Sequence, residues 1–131
     1  MYPDILIDKR SYLFALRIVK AYKYLTRQKN EYVLSKQMLR SGTAIGAMMR
    51  EAKFAQSRAD FVSKASIALK EANETLYWIE LLHDSEYISE EAYNSLHSEA
   101  DEITAILASI VKTTKENSEK YDNAKGDFLN S

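Results

Sequence analysis

Residues 34–52, "LSKQMLRSGTAIGAMMREA", place apolar or small side chains at alternating steps of four and three residues. The positions of this row are Leu34, Met38, Ser41, Ile45, Met48 and Ala52. Such spacing keeps one stripe of an α-helix turned toward a partner helix, as in a coiled-coil seam. The stretch therefore predicts a helix over residues 33–55 that packs against other helices.

Two glycines, Gly42 and Gly46, lie four residues apart in a second row beside this seam. Each glycine in a helix interior costs about 1 kcal/mol relative to alanine, so the pair requires a compensating role. A phosphate-binding turn is disfavoured, because such loops follow a strand and begin a helix. A hinge is also disfavoured, since no other nearby residue breaks the helix. The spacing favours the close approach of a neighbouring helix.

Three further segments have helical periodicity. Apolar residues recur at steps of three and four over residues 8–28, 58–84 and 89–117. Ser57 and Ser89, each followed by acidic residues, provide N-caps for the last two helices. Four helices of about 20 residues joined by short connections predict an all-α, up-down-up-down, antiparallel four-helix bundle. We expect a single domain over residues 1–131, with a frayed C-terminal tail beyond residue 117.

The composition narrows the class of protein. The chain has 131 residues, with 3 glycines, 1 proline and no cysteine. The scarcity of glycine and proline favours helices throughout, and the absence of cysteine excludes disulfides and thiolate chemistry. No window approaches the ~20 apolar residues of a membrane span, so we expect a cytoplasmic protein without membrane contact.

The charge is distributed unequally between the two halves of the chain. Residues 1–70 contain 14 Lys and Arg against 5 Asp and Glu, a net charge of +9. Residues 71–131 contain 4 against 14, a net charge of −10. Either the halves neutralise each other, within a subunit or between subunits, or one end of the molecule is basic.

The first helix carries the candidate nucleic-acid-binding residues. These are Arg17, Lys20, Lys23 and Arg27. Basic residues near aromatic side chains suit a nucleic-acid backbone, whereas the alternative is a solvated face or ion pairs with an acidic neighbouring subunit. The same face has apolar residues that a solvated surface does not require, and we predict that they contribute to an oligomer interface. These are Leu13, Leu16 and Tyr24.

The sequence contains no catalytic constellation. Glu80 and His83 have the Glu-x-x-His spacing that di-iron bundles use twice, but Asn94 stands where a second glutamate would precede His97. A packed or hydrogen-bonded histidine is therefore favoured over a metal ligand. No motif pairs either histidine with a nucleophile. We expect no enzymatic activity, no metal and no cofactor.

The order of motifs resembles that of a four-helix-bundle family encoded by intervening sequences in bacterial 23S ribosomal RNA genes. The family pattern joins a Leu-Arg-Ser run and a Ser-Ile-x-x-Asn-Ile-x-Glu-Gly motif to a Ser-x-x-Asp-Phe motif and an Ile-Ala stretch ending in glutamate. Residues 14–25, "FALRIVKAYKYL", also resemble the first helix of this family. The matching residues are Leu39, Arg40, Ser41, Ile45, Glu51, Ser57, Asp60, Phe61, Ile67, Ala68 and Glu74. The chain departs from the pattern at Ala44, Met48 and Ala52, where the family has serine, asparagine and glycine.

The resemblance implies a bundle that assembles as a homo-oligomer, namely a ring-like pentamer. A related protein, the accessory protein of diversity-generating retroelements, binds nucleic acid and a reverse transcriptase. By this resemblance we expect a pentamer that contacts RNA or DNA, with a reverse-transcriptase-like protein as a further partner. The alternative is a protein–protein interaction scaffold or adaptor without nucleic-acid contact.

The second helix contributes candidates for helix packing or for the oligomer interface. They are Arg40, Gly42, Gly46 and Glu51. Arg40 and Glu51 are about three turns apart, too far to pair with each other, so we expect their partners on a neighbouring helix.

Overall fold

The computed structural model contains four α-helices, and it describes the backbone of residues 2–130 and the side chains of residues 6–117. The helices are α1 (Tyr2–Gln28), α2 (Leu34–Lys53), α3 (Arg58–Asp84) and α4 (Glu90–Asn130). Both α1 and α3 pack against α2 and α4, so α1 and α3 lie diagonally across the bundle. The predicted four-helix bundle is confirmed. Across the part of the chain that is described, no helix has the length and apolar character needed to span a bilayer.

The predicted bounds of α2 and α3 lie within two residues of the observed ones, whereas the predicted α1 and α4 are shorter than the observed helices. Helix α1 begins at Tyr2, with Pro3 in its first turn, where a missing backbone N–H is tolerated. The backbone of α4 continues to Asn130, past residue 117. The predicted frayed tail falls on residues 118–131, whose side chains lie outside the described residues.

Side-chain caps begin α3 and α4 at the two predicted serines. The Ser57 hydroxyl accepts a hydrogen bond from the Asp60 amide at 3.0 Å. The Ser89 hydroxyl accepts one from the Ala92 amide at 3.1 Å. Each cap satisfies an amide that has no partner within its helix, and this fixes the residue at which the helix starts.

Helix α2 begins at a buried carboxylate that the sequence did not reveal. Glu31 is only 7% exposed. It accepts hydrogen bonds from the Val33 and Leu34 amides at 2.9 and 2.7 Å, and from the Ser35 amide at 2.8 Å. Burial raises the pKa of Glu31, but these amides together outweigh it and lower the pKa below its ordinary value. The carboxylate therefore remains ionised and neutralises the positive end of the helix dipole.

Four of the six predicted seam positions of α2 are buried, namely Met38, Ser41, Ile45 and Ala52, and the core takes the adjacent residue at the other two. In α2, Met49 is buried and Met48 is half-buried. In α3 the buried residues are Ala65, Ala68, Ala72, Thr75, Ile79 and Leu82. Leu69 and Leu76 lie half-buried beside this row. Each helix has two adjacent apolar rows. The row with the smaller side chains faces the core, where the neighbouring helix approaches closely, and apolar spacing alone does not specify which row this is.

The glycine row of α2 is where α1 approaches most closely. A β-carbon at Gly42 would lie 2.9 Å from two side-chain carbons of the buried Ile18. A β-carbon at Gly46 would lie 3.4 Å from the Ser11 backbone oxygen, an ordinary van der Waals distance. Both glycines therefore serve helix packing inside the subunit, and their backbone conformation is ordinary helix.

The two glycines should respond differently to alanine. Gly42→Ala should lower the free energy of unfolding by about 1–3 kcal/mol, because the enclosed Ile18 has to move. Gly46→Ala should be neutral or stabilising by up to about 1 kcal/mol, since the methyl group fits and alanine favours the helix. Urea unfolding followed by circular dichroism measures both. Gly46→Leu should destabilise, because its longer side chain meets the α1 backbone. Equal losses for the two alanine variants would contradict this account.

Candidate nucleic-acid interface

Three cations follow one another along the exposed side of the C-terminal half of α1. They are Lys20, Lys23 and Arg27, called here the cationic stripe. Their spacing of three and four residues makes them neighbours on the helix surface, with Tyr24 among them. Within residues 6–117, no carboxylate pairs with any of the three. The stripe is therefore a local excess of positive charge on a chain whose net charge is −1.

Arg17, the fourth predicted cation, is held by α4. Its guanidinium donates to the Glu99 carboxylate and, at 2.6 Å, to the Ser95 hydroxyl. Two turns earlier on α1, the Arg10 guanidinium donates a hydrogen bond to the Glu102 carboxylate at 2.6 Å. These ion pairs join α1 to α4, so Arg17 contributes to the association of the two helices. The two arginines are seven residues apart on α1, and Glu99 and Glu102 are three residues apart on α4. Both sets are visible in the sequence, but their pairing depends on the register of the two helices.

A groove separates α1 from α4 beside the cationic stripe. Its volume is about 510 Å³. Its lining residues are Arg17, Lys20, Ala21, Tyr24, Ile88, Ser89, Ala92 and Leu96. Tyr24 is 45% exposed, and therefore presents part of its ring to solvent. The groove thus combines an apolar floor, an aromatic wall and a cationic rim.

The N-terminal half of α1 has an exposed apolar surface instead. Leu6, Leu13 and Leu16 are 63%, 46% and 51% exposed, and together they are called here the leucine face. Single exposed leucines are common, but three on one side of a short stretch of helix add up to an apolar surface, in which Leu13 and Leu16 are one turn apart. The predicted interface residues Leu13 and Leu16 therefore lie on the surface, next to the cationic stripe.

The candidates on α2 find their partners on α3. The Arg40 guanidinium binds the carboxylates of Glu71 and Glu74, and the Glu51 carboxylate lies 3.6 Å from the Lys64 ammonium. Hydrogen bonds from Arg40 and then from the Trp78 indole lower the pKa of Glu74. Arg40 and Glu51 thus lie on the α2–α3 boundary, as expected of residues too far apart to pair with each other.

The two histidines lie on either side of Tyr93 at the α3–α4 boundary. The imidazole of His83 lies 2.6 Å from the Glu90 carboxylate and stacks on Tyr93 with ring centroids 4.0 Å apart. The imidazole of His97 lies 2.8 Å from the Glu80 carboxylate. Glu80 and His83 therefore bind different partners on α4. Among the described residues, no group of three or more acids, histidines or cysteines could hold a metal ion.

Comparison with known families matches residues 4–109 to the model of the 23S rRNA-intervening sequence proteins. The chain belongs to this family. A crystal structure of a protein of unknown function from the S23 ribosomal protein family of Bacteroides thetaiotaomicron is similar, with 55% sequence identity and a TM-score of 0.82. That match covers 84% of this chain and 98% of the other. Comparison with curated proteins gives no match.

The motif residues that carry the family resemblance hold α2 and α3 together. Arg40 and Glu74 form an ion pair across the boundary, and the Thr75 hydroxyl donates to the buried Ser41 hydroxyl at 2.9 Å. Ser57 caps α3 through the amide of Asp60, as described above. The family motifs on α2 and α3 therefore specify the fold of this helix pair, and the family match extends over α1 as well.

The carboxylates near His83 should make the stability of the bundle depend on pH. The hydrogen bond to Glu90, supported by Asp84, raises the pKa of His83 above 6.5. Its stabilising contribution is then complete below pH 6.5 and is lost as the pH rises through the folded-state pKa. His83→Asn should therefore lower the melting temperature more at pH 5 than at pH 8. Thermal melts followed by circular dichroism, with His97→Asn as the comparison variant, measure this difference. A gap between wild type and His83→Asn that does not change with pH would contradict the assignment.

Proposed function

We propose that the chain is a non-enzymatic, cytoplasmic homo-oligomer that binds the phosphate backbone of RNA or DNA through the cationic stripe. The observation that carries this proposal is the absence, among the described side chains, of any carboxylate partner for Lys20, Lys23 and Arg27. Lysine and arginine side chains on one exposed face bind phosphates by displacing condensed counterions.

The rest of the charge distribution supports the stripe as the binding surface. Several other cations of the first half are neutralised inside the subunit. These pairs are Arg10–Glu102, Arg17–Glu99, Arg40 with Glu71 and Glu74, Lys53–Asp8 and Lys64–Glu51. Much of the charge asymmetry therefore serves the fold, and the C-terminal half of α1 retains a positive surface.

The chemistry of the stripe limits the mode of binding. Side-chain cations on one helix contact phosphates, which position a nucleic acid but carry no base sequence. The overall charge of −1 adds no long-range attraction. Binding should therefore be salt-sensitive, weakly sequence-specific and dependent on several stripes acting together, which an oligomer provides through multivalency.

The leucine face supports the oligomer. Its three leucines are apolar surface that a monomer would expose to water, and covering them with a second copy removes that surface. The family resemblance favours a pentamer. Because the leucine face and the cationic stripe occupy successive halves of α1, assembly through the leucines leaves the stripe accessible.

A variant without the stripe tests nucleic-acid binding. K20A/K23A/R27A should weaken binding of a fluorescently labelled fragment of 23S ribosomal RNA, and should reduce the slope of log K against log salt by about 2. Fluorescence anisotropy at several salt concentrations measures both quantities. R50A/K112A/K115A removes the same charge from exposed positions elsewhere and should retain more affinity. No binding by the wild type at low salt, or equal losses in the two variants, would refute the proposal.

A charged variant of the leucine face tests assembly. L13E/L16E should convert the oligomer into a monomer of 15.0 kDa with unchanged helix content, because buried carboxylates at an apolar interface are unfavourable. Light scattering with size-exclusion chromatography gives the mass. A47E/A108E places the same charges at exposed positions on α2 and α4 and should remain oligomeric. A wild type that is already a monomer, or an unaltered mass in L13E/L16E, would contradict this interface.

A protein–protein scaffold without nucleic-acid contact is the second candidate. The exposed leucines favour this candidate, because an apolar surface can bind a different protein as well as a second copy of this chain. The partner that the family resemblance implies is a reverse-transcriptase-like protein. If the stripe instead pairs with acids of a neighbouring subunit, added salt should lower the mass of the oligomer. A salt-independent mass together with RNA binding would exclude this candidate.

A further inference from the structure

We propose that the groove between α1 and α4 accommodates an unpaired base, so that the preferred ligand is a single strand rather than a duplex. This inference rests on the proposed function and specifies its ligand. The stripe alone would serve both forms, because both carry phosphates. The groove and Tyr24 are the features that distinguish between the two.

The groove has the size and lining that stacking requires. A volume of about 510 Å³ lies within the usual range for small-molecule sites. Tyr24 provides an aromatic wall, while Ala21, Ile88, Ala92 and Leu96 provide apolar side chains of small to medium size. Tyrosine with exposed ring surface beside such a floor can stack on a base, whichever base it is, because each base has a π-face.

The position of the cations fits a strand that passes along α1. Lys20 lines the groove itself, and Lys23 and Arg27 follow on the same exposed side of the helix. From Lys20 to Arg27 the helix rises about 10 Å, so the phosphates on either side of a stacked base can reach separate cations. The negative backbone and the neutral base thus meet surfaces of matching chemistry. In a duplex the bases are already stacked, and both the groove and Tyr24 would stay unused.

The groove offers few groups that could read a base edge. The Ser89 hydroxyl accepts a hydrogen bond from the Ala92 amide as an N-cap, which leaves its proton and one lone pair for a ligand. The Arg17 guanidinium on the rim is occupied by Glu99 and Ser95. Stacking and phosphate contacts therefore dominate, and little preference among the four bases is expected.

Two variants of the groove test the inference by different means. Y24L removes the aromatic ring and keeps an apolar side chain, while A92W fills the groove from an exposed position on α4. The probes are a labelled 12-nucleotide oligouridine and a labelled blunt-ended RNA duplex of 12 base pairs, titrated by anisotropy at one salt concentration. Y24L and A92W should each weaken oligouridine binding by about 5- to 100-fold and leave duplex binding within a factor of two.

The controls separate stacking from folding and from charge. Y24F should bind as the wild type does, since the phenyl ring still stacks. Y77L removes an exposed tyrosine from α3 and should change neither affinity. Circular dichroism of Y24L and A92W should show unchanged helix content, because both positions have exposed surface.

The outcomes distinguish failure of this inference from failure of the proposed function. If neither probe binds the wild type, the proposed function falls and this inference falls with it. If both probes bind and the stripe variant loses them, but Y24L and A92W bind both normally, the base site is refuted and the backbone site stands. If Y24L or A92W changes the oligomer mass and leaves both affinities unchanged, a second copy covers the groove, and the inference is likewise refuted.

Discussion

The close approach of α1 to α2 along Gly42 and Gly46 determines which side of α1 faces water. A side chain at Gly42 would collide with Ile18. The glycine row therefore accommodates the buried apolar side of α1, and this packing fixes how α1 is rotated about its own axis. Ion pairs from Arg10 and Arg17 hold the opposite edge to α4. With both edges fixed, the remaining arc of α1 must carry both the leucine face and the cationic stripe. The positions of the leucine face and of the cationic stripe thus follow from one steric constraint in the core.

Local chemistry made most of the fold predictable from the sequence. Periodic apolar residues specify where helices lie, and a serine followed by an acidic residue specifies where two of them begin, because both signals act within a few residues. The sequence could not predict whether Met48 or Met49 faces the core, since adjacent apolar rows differ only in how closely the next helix approaches. Glu31 was missed because a glutamate two residues before the helix cap is not among the usual capping residues.

The sequence predicted that the candidate site is positively charged, but it did not predict which of the cations are free to bind a ligand. The spacing of the four cations on α1 was visible, but the pairing of Arg17 with Glu99 depends on the register between two helices that are distant in sequence. The groove is likewise a product of tertiary packing. By contrast, the family motifs of α2 and α3 lie at the boundary between these helices. There Arg40 forms an ion pair with Glu74, and the Thr75 hydroxyl donates a hydrogen bond to Ser41.

The Glu31 carboxylate also bears on how any anion can approach the bundle. Free amides at the start of a helix form a ready site for phosphate. At the start of α2, beside the end of the cationic stripe, three amides are already bound by the chain's own carboxylate. An incoming phosphate would have to displace a covalently tethered competitor at very high local concentration. Under the proposed function, phosphate contacts at this end of the molecule therefore come from lysine and arginine side chains and not from backbone amides, and long flexible side chains can follow different paths of a strand.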